Sequence, residues 1–248
     1  LRKVLEAGAL HEVADAAKGA KPDRRLADLT LLPPVTDPAK IICVGVNYDE
    51  HRKETGRDPS AHPVLFTRWA DTQVGHGQAM VKPRNSERFD YEGELAVIIG
   101  RECRHAGAAD ALTFIAGYSC YHDGSVRDWQ RHTHQFTPGK NFPATGGFGP
   151  WMVTADEVPD PQKLHLTTRL NGQVVQDTPT DLMIFDVRSL IVYISAFTTL
   201  RPGDVIITGT PGGVGDKRNP PLYMKGGDVA EVEIRGIGIL RNPIVNEG

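Results

Sequence analysis

The stretch DYEGELAVIIG, Asp90 to Gly100, decides the fold. Side chains alternate across a β-strand, so Glu92 and Glu94 share one face, roughly 6 to 7 Å apart at Cα, while Leu95, Val97 and Ile99 take the other. Two carboxylates on one face of a core-like strand repel each other. Burial without compensation costs several kcal/mol or forces one of them to stay protonated, and a cation is the usual remedy. An arbitrary E-x-E belongs on the solvated face of an edge strand. Here the surrounding sequence argues for a metal site.

The next informative segment is IAGYSCYHDGSVRDWQ, Ile115 to Gln130. A strand over Ile115 to His122 puts Tyr121 and Asp123 on one face, and the break at Asp123-Gly124-Ser125 turns the chain into a short helix carrying Arg127 and Gln130. Glu92, Glu94 and Asp123 form an all-oxygen set without histidine or cysteine at ligand spacing. Such a set suits Mg²⁺, Mn²⁺ or Ca²⁺ rather than Zn²⁺.

Outward from this centre, short strand-like runs predominate: 40–46, 95–99, 116–122, 151–154, 164–170, 205–208 and 229–234. Asn171-Gly172 marks a hairpin turn. Helical spacing is confined to Leu1 to Lys18, the segment after Asp123, and Asp186 to Leu200, where Val187, Leu190, Ile191, Ile194 and Phe197 recur every three or four residues. Strands that do not alternate regularly with helices argue against a doubly wound sheet. The expected class is α+β, mostly β.

Composition narrows the partners. The chain has 248 residues, 40% hydrophobic, with 28 Lys+Arg against 31 Asp+Glu. That is enough for a sizeable core, and the net charge of -3 gives no reason to expect nucleic acid or an anionic membrane. The three cysteines, Cys43, Cys103 and Cys120, are odd in number and form no C-x-x-C, which favours buried thiols in a reduced cytoplasmic setting. The longest apolar run, Leu190 to Phe197, falls far short of the ~20 residues that span a bilayer. Dispersed early charges at Arg2, Lys3 and Glu6 do not make a secretory signal.

Two further segments carry chemistry. In GVNYDEHRKETGRDP, Gly45 to Pro59, His51 and Glu54 lie three apart and share a face on a helical turn, where the carboxylate can orient the imidazole and raise its basicity. Gly56 to Pro59 would make a flexible lid. In GTPGGVG, Gly209 to Gly215, the glycines let backbone amides approach an anion beside Thr210. The Lys-Ser/Thr of a P-loop does not follow, so phosphate binding is disfavoured. His132 and His134 have no third ligand at metal spacing and read as surface or pocket histidines.

Taken in order, Glu92-Gly93-Glu94, Asp123 through Gln130, Gly139-Lys140 and Gly209 through Gly215 resemble the motif series of the fumarylacetoacetate hydrolase superfamily, from about Lys40 to the C-terminus. The resemblance implies a mixed β-roll or sandwich with few short helices, and a homodimer. It implies a catalytic domain over 38–248 preceded, in 1–37, by the last helix and linker of a small N-terminal domain. It makes Glu92, Glu94 and Asp123 the ligands of Mg²⁺ or Mn²⁺, with Ca²⁺ as a further fit. His51 and Glu54 become the acid-base dyad, Lys140 a catalytic cation, and Arg127, Gln130, Thr210 and Tyr121 substrate-binding residues. Two departures alter the surroundings: His122 stands where many relatives have Asn before the aspartate, and Asn141-Phe142-Pro143 follows Gly-Lys in place of Ser-Phe-Asp.

The activity implied is divalent-metal-dependent hydrolysis of a carbon-carbon bond in a small 2,4-dioxo acid of the acylpyruvate or fumarylpyruvate type, as in breakdown of aromatic or sugar acids. Oxaloacetate-type decarboxylation and dienedioate isomerisation are the alternatives on the same scaffold, because each passes through an enolate. An inactive binding subunit is the contrasting class. The retained triad, dyad and lysine argue against it.

Overall fold

The alternation that starts at Glu92 continues into a strand over Gly93–Ile99 with every residue buried. The structure, a computed structural model, describes residues 1–248. Leu95, Val97 and Ile99 enter one core cluster, and Ala96 and Ile98 enter another on the opposite face. The strand therefore lies at the centre of the molecule, with both faces covered.

It pairs antiparallel with Ile115–Asp123, and the register sets Gly93 opposite His122 and Glu94 opposite Tyr121. These two strands occupy the middle of a seven-stranded sheet whose spatial order is Val64–Arg68, Ile41–Gly45, Val205–Ile207, Gly93–Ile99, Ile115–Asp123, Gly146–Thr154 and Gln73–Val74. A second sheet of five strands runs Gln173–Pro179, His165–Leu170, Val229–Ile234, Gly238–Asn246 and Met80–Lys82. Leu166, Val232, Ile234 and Leu240 of the second sheet share a cluster with Leu95, Val97 and Cys120 of the first, so the sheets face each other across a common core. This is an α+β fold, mostly β, with short helices. The Asn171-Gly172 turn, with φ of 53° and 79°, joins the antiparallel strands that its sequence predicts.

The longest helix, Val187–Phe197, is capped by Asp186, whose side chain accepts from the Ser189 amide at 2.7 Å. It buries Val187, Leu190, Ile191 and Ile194 in the main cluster, each contributing roughly 1.5–3 kcal/mol. Its apolar face is thus core. Of its large apolar residues only Phe197, 57% exposed, stays outside.

The N-terminal helical run also differs from expectation. It is two helices, Arg2–Glu6 and Leu10–Ala17, broken at Gly8, which takes the left-handed φ of 66°. Leu5 and Val35 pack with Ile41 and Ile98, while Val13, Leu26, Leu29 and Leu32 remain exposed.

Candidate active site

The register of the two central strands places Glu92 beside Asp123, and the Asp123 amide donates to the Glu92 carbonyl at 2.8 Å. Glu94 lies diagonally across. The three carboxylates can bring one oxygen each within 4.8 Å of one another, and all three residues are buried. Nearby cations hold two of them. Lys140 Nζ donates to Glu92 at 2.5 Å, to Asp123 at 2.6 Å and to Ser125 Oγ at 2.6 Å. Arg127 Nη2 lies 2.7 Å from Glu92, and Arg68 Nη1 donates to Asp123 at 2.5 Å.

Glu94 has no cation. It accepts one hydrogen bond, from the Gly209 amide at 2.5 Å, and burial together with the charges of Asp123 and Glu92 pushes its carboxyl well above the usual range. Burial also pushes Glu92 upward, but Arg127, Lys140 and His51 outweigh it and hold this carboxyl below its ordinary value. With Asp90, which accepts from Arg127 Nε at 2.8 Å, four buried carboxylates face three buried cations. The residues present therefore fit a divalent cation: the donors are hard oxygens, and Glu94 is the carboxylate left uncompensated.

The dyad forms on the helix Asp49–Glu54, where His51 Nδ1 lies 2.7 Å from Glu54 Oε1. That bond leaves Nε2 to the cavity His51 lines, a cleft of about 110 Å³ that also reaches Glu92, Glu94 and Lys140. Its apolar wall is Val44, Val46, Phe66 and Phe136, and its charged rim is Arg57, Arg131 and Lys217.

The glycine loop approaches anions as expected, but the anions are the protein's own carboxylates. Gly209 donates to Glu94, Gly213 to Glu54 Oε2 at 3.0 Å, and Gly215 and Asp216 to Asp90 at 2.8 and 2.9 Å. One loop thus orients a triad member, the dyad carboxylate and the Arg127 partner. Gly213, with φ of 97°, has no space for a side chain, because a Cβ would fall 2.4 Å from the Val175 carbonyl oxygen.

Residues 40–245 match the family described as Fumarylacetoacetate (FAA) hydrolase C-terminal. The chain belongs to the fumarylacetoacetate hydrolase family. The human mitochondrial oxaloacetate tautomerase FAHD2A is 43% identical to it over 221 residues, 88% of this chain and 70% of that protein. Among solved structures, 2-hydroxyhepta-2,4-diene-1,7-dioate isomerase from Mycobacterium marinum superposes with a TM-score of 0.79 at 40% identity, covering 90% of this chain and 80% of the other. Maleylpyruvate hydrolase from Sphingobium sp. SYK-6, solved with manganese(II) and pyruvate, gives 0.84 at 29% identity, covering 100% and 86%.

In this family member the expected substrate-binding side chains are partly engaged elsewhere. Gln130 Oε1 accepts from Arg127 Nη1 at 3.0 Å. Thr210 lines the cavity, but its hydroxyl donates to the Gly93 carbonyl at 3.0 Å and accepts from Gln176 at 2.8 Å. Tyr121 shares the triad's face of the sheet and is fully buried against Phe148; its hydroxyl donates to Gln73, away from the cavity lining. Asp123 lies behind Lys140 and does not line the cavity. His122 is buried, its Nε2 is unpartnered, and burial first and Arg68 second lower its pKa to about 3, so it stands neutral. His132 and His134 are exposed, and His132 packs on Trp129.

Two residues of the site escaped the sequence reading. Asp90 stands two positions before Glu92 in the same string, a legible signal. Arg68 ends an edge strand, 55 residues before the aspartate it holds, and nothing local announces it.

Proposed function

We propose that the protein catalyses proton transfer on a small 2-oxo acid, interconverting its keto and enol forms, and that Glu92, Glu94 and Asp123 would hold a Mg²⁺ or Mn²⁺ ion beside it. The observation that carries this reading is a single acid-base dyad whose His51, held by Glu54, shares one small cavity with Glu92 and Glu94 of the carboxylate cluster. With Glu54 ionised, the His51 proton rests on Nδ1 and Nε2 is free to take a proton from the carbon next to the 2-oxo group. Glu54, fixed by the Gly213 amide, stabilises the imidazolium that results, and the same Nε2 gives the proton to the enolate oxygen, which forms the enol and restores the neutral imidazole; the reverse sequence turns enol into keto. Lys140 is not the base. Burial lowers its pKa, but Asp123 and Glu92 outweigh that and raise it, so it stays an ammonium whose charge favours an enolate. A divalent ion would supply Lewis-acid polarisation of the 2-oxo group. The cavity, about 110 Å³, suits a substrate of a few carbons.

The 43% identity to an oxaloacetate tautomerase supports tautomerisation. Carbon-carbon hydrolysis of a 2,4-dioxo acid is the second reading, supported by likeness to maleylpyruvate hydrolase over the whole chain; there His51 would activate water. We place the enzyme in a reducing compartment, because all three cysteines are free and buried. No helix is long and apolar enough to cross a membrane.

His51→Ala should lower enol-to-keto conversion of oxaloacetate, followed by ultraviolet absorbance, by roughly 10² to 10⁴-fold, while Mn²⁺ affinity stays near that of the parent. Conversion within a few-fold of the parent would remove the dyad from the chemistry. Cleavage of an acylpyruvate without oxaloacetate tautomerisation would favour the hydrolytic reading.

A further inference from the structure

The two ends of the cavity differ in how their cations are used. At the deep end Arg127 is held by Asp90 and Glu92, and Lys140 by Glu92 and Asp123. Both are already paired with the protein's own carboxylates. At the rim, Arg131 makes two hydrogen bonds to Asp216, and Lys217 reaches that same carboxylate only at 3.8 Å. Arg57 has no carboxylate partner; its guanidinium lies 5.3 Å from the Phe136 ring centroid, where the ring positions it without neutralising it. Three cations thus line this end of the cavity, and the one carboxylate they meet, Asp216, is nearly buried and outside the cavity lining.

Arg57 is also tied to the dyad. The Arg52 guanidinium, itself paired with Asp49, donates to the Arg57 carbonyl at 2.9 Å, fixing the loop to the helix that carries His51 and Glu54. We propose that Arg57, with Lys217, binds a second carboxylate on the substrate, so that the site selects dicarboxylic over monocarboxylic 2-oxo acids. This rests on the 2-oxo acid reading of the site. The planar guanidinium can grip a carboxylate with two parallel hydrogen bonds, and the Lys217 ammonium adds a point charge. Seating that carboxylate would also hold the Arg57 loop, and through Arg52 the dyad helix, against the cavity.

The test compares oxaloacetate with its 4-monomethyl ester, which keeps the skeleton and lacks the second charge, on Mn²⁺-supplemented protein. The parent should favour the diacid by tenfold or more in kcat/KM, a range set by charge-assisted hydrogen bonds at a partly exposed site. Arg57→Ala and Lys217→Ala should each move that ratio toward one, with the loss falling on the diacid and on KM. Arg57→Lys should retain part of the preference. Variants that keep the parental ratio would overturn the assignment while leaving the 2-oxo acid reading in place. A parent that neither turns over either compound nor binds pyruvate in calorimetry would defeat the underlying reading, and this inference with it.

Discussion

Glu94 is the residue on which the metal assignment can be tested most directly. It is buried, faces two other carboxylates and has only a backbone amide for company. Glu94→Gln replaces the carboxyl at nearly constant volume, so it should relieve the metal-free protein of the cost of burying that acid among like charges and also remove a ligand. The expected outcome in thermal unfolding is a Tm without metal equal to or a few degrees above the parent's. The rise in Tm that Mn²⁺ gives the parent should be largely lost, and activity with it. A variant that Mn²⁺ stabilises as much as the parent would sink Glu94 as a ligand. At this scale the sequence was informative where chemistry is local. Glu92, Glu94 and Asp123 announce themselves by period-two spacing and a strand-end aspartate, and His51 with Glu54 by spacing on one helical turn. Arg68 does not, because its partner comes from pairing across the sheet and no single-strand pattern encodes it.

At the scale of elements, the loop from Gly209 to Asp216 organises the site through its backbone, so its variants should act on geometry rather than on composition. Gly213→Ala forces a Cβ against the Val175 carbonyl at a left-handed φ, costing about 1–2 kcal/mol, and shifts the amide that holds Glu54. Its kcat should fall while Mn²⁺ affinity holds. A kcat equal to the parent's would mean the amide does not position the dyad. Asp216 anchors the loop's far end. Burial raises its pKa, but hydrogen bonds from Arg131 and Tyr223 more than offset that and hold it at about 2. Because the folded pKa is the lower one, its contribution is present above the unfolded carboxylate range near 3.9 and fades as pH falls toward 2. Asp216→Asn should therefore destabilise the protein at pH 7, and the gap in denaturation midpoint should close between about pH 4 and 2. Legibility of elements followed regularity. The Asn171-Gly172 hairpin and the Val187–Phe197 helix were plain, whereas Gly238–Asn246 was hidden by Gly238 and Pro243, and of Gly146–Thr154 only residues 151–154 were legible, its start being masked by glycines.

At the scale of the molecule, the order of strands was not legible. Ile41–Gly45 pairs in parallel with Val205–Ile207, and no local pattern specifies a partner that distant in sequence. The mostly-β class was readable because it depends on the count of short runs rather than on their partners. Quaternary structure belongs here too, and we infer a homodimer. The apolar face of the Val187–Phe197 helix is core and offers a second copy no surface. The edge strand Val64–Arg68 borders a cavity of about 510 Å³ whose lining includes Leu65, Phe66, Trp69 and Phe197, with Trp69 and Phe197 more than half exposed. An unpaired strand edge beside exposed aromatic side chains is a surface that a second copy could cover in a self-complementary way. Light scattering at micromolar concentration should give about twice the chain mass of 27.1 kDa. Trp69→Glu, at an exposed position that folding does not need, should shift that mass toward the monomer without lowering Tm by more than the loss of the partner explains. A parent mass near that of one chain would remove the dimer. A dimeric Trp69→Glu protein would move the interface to another face.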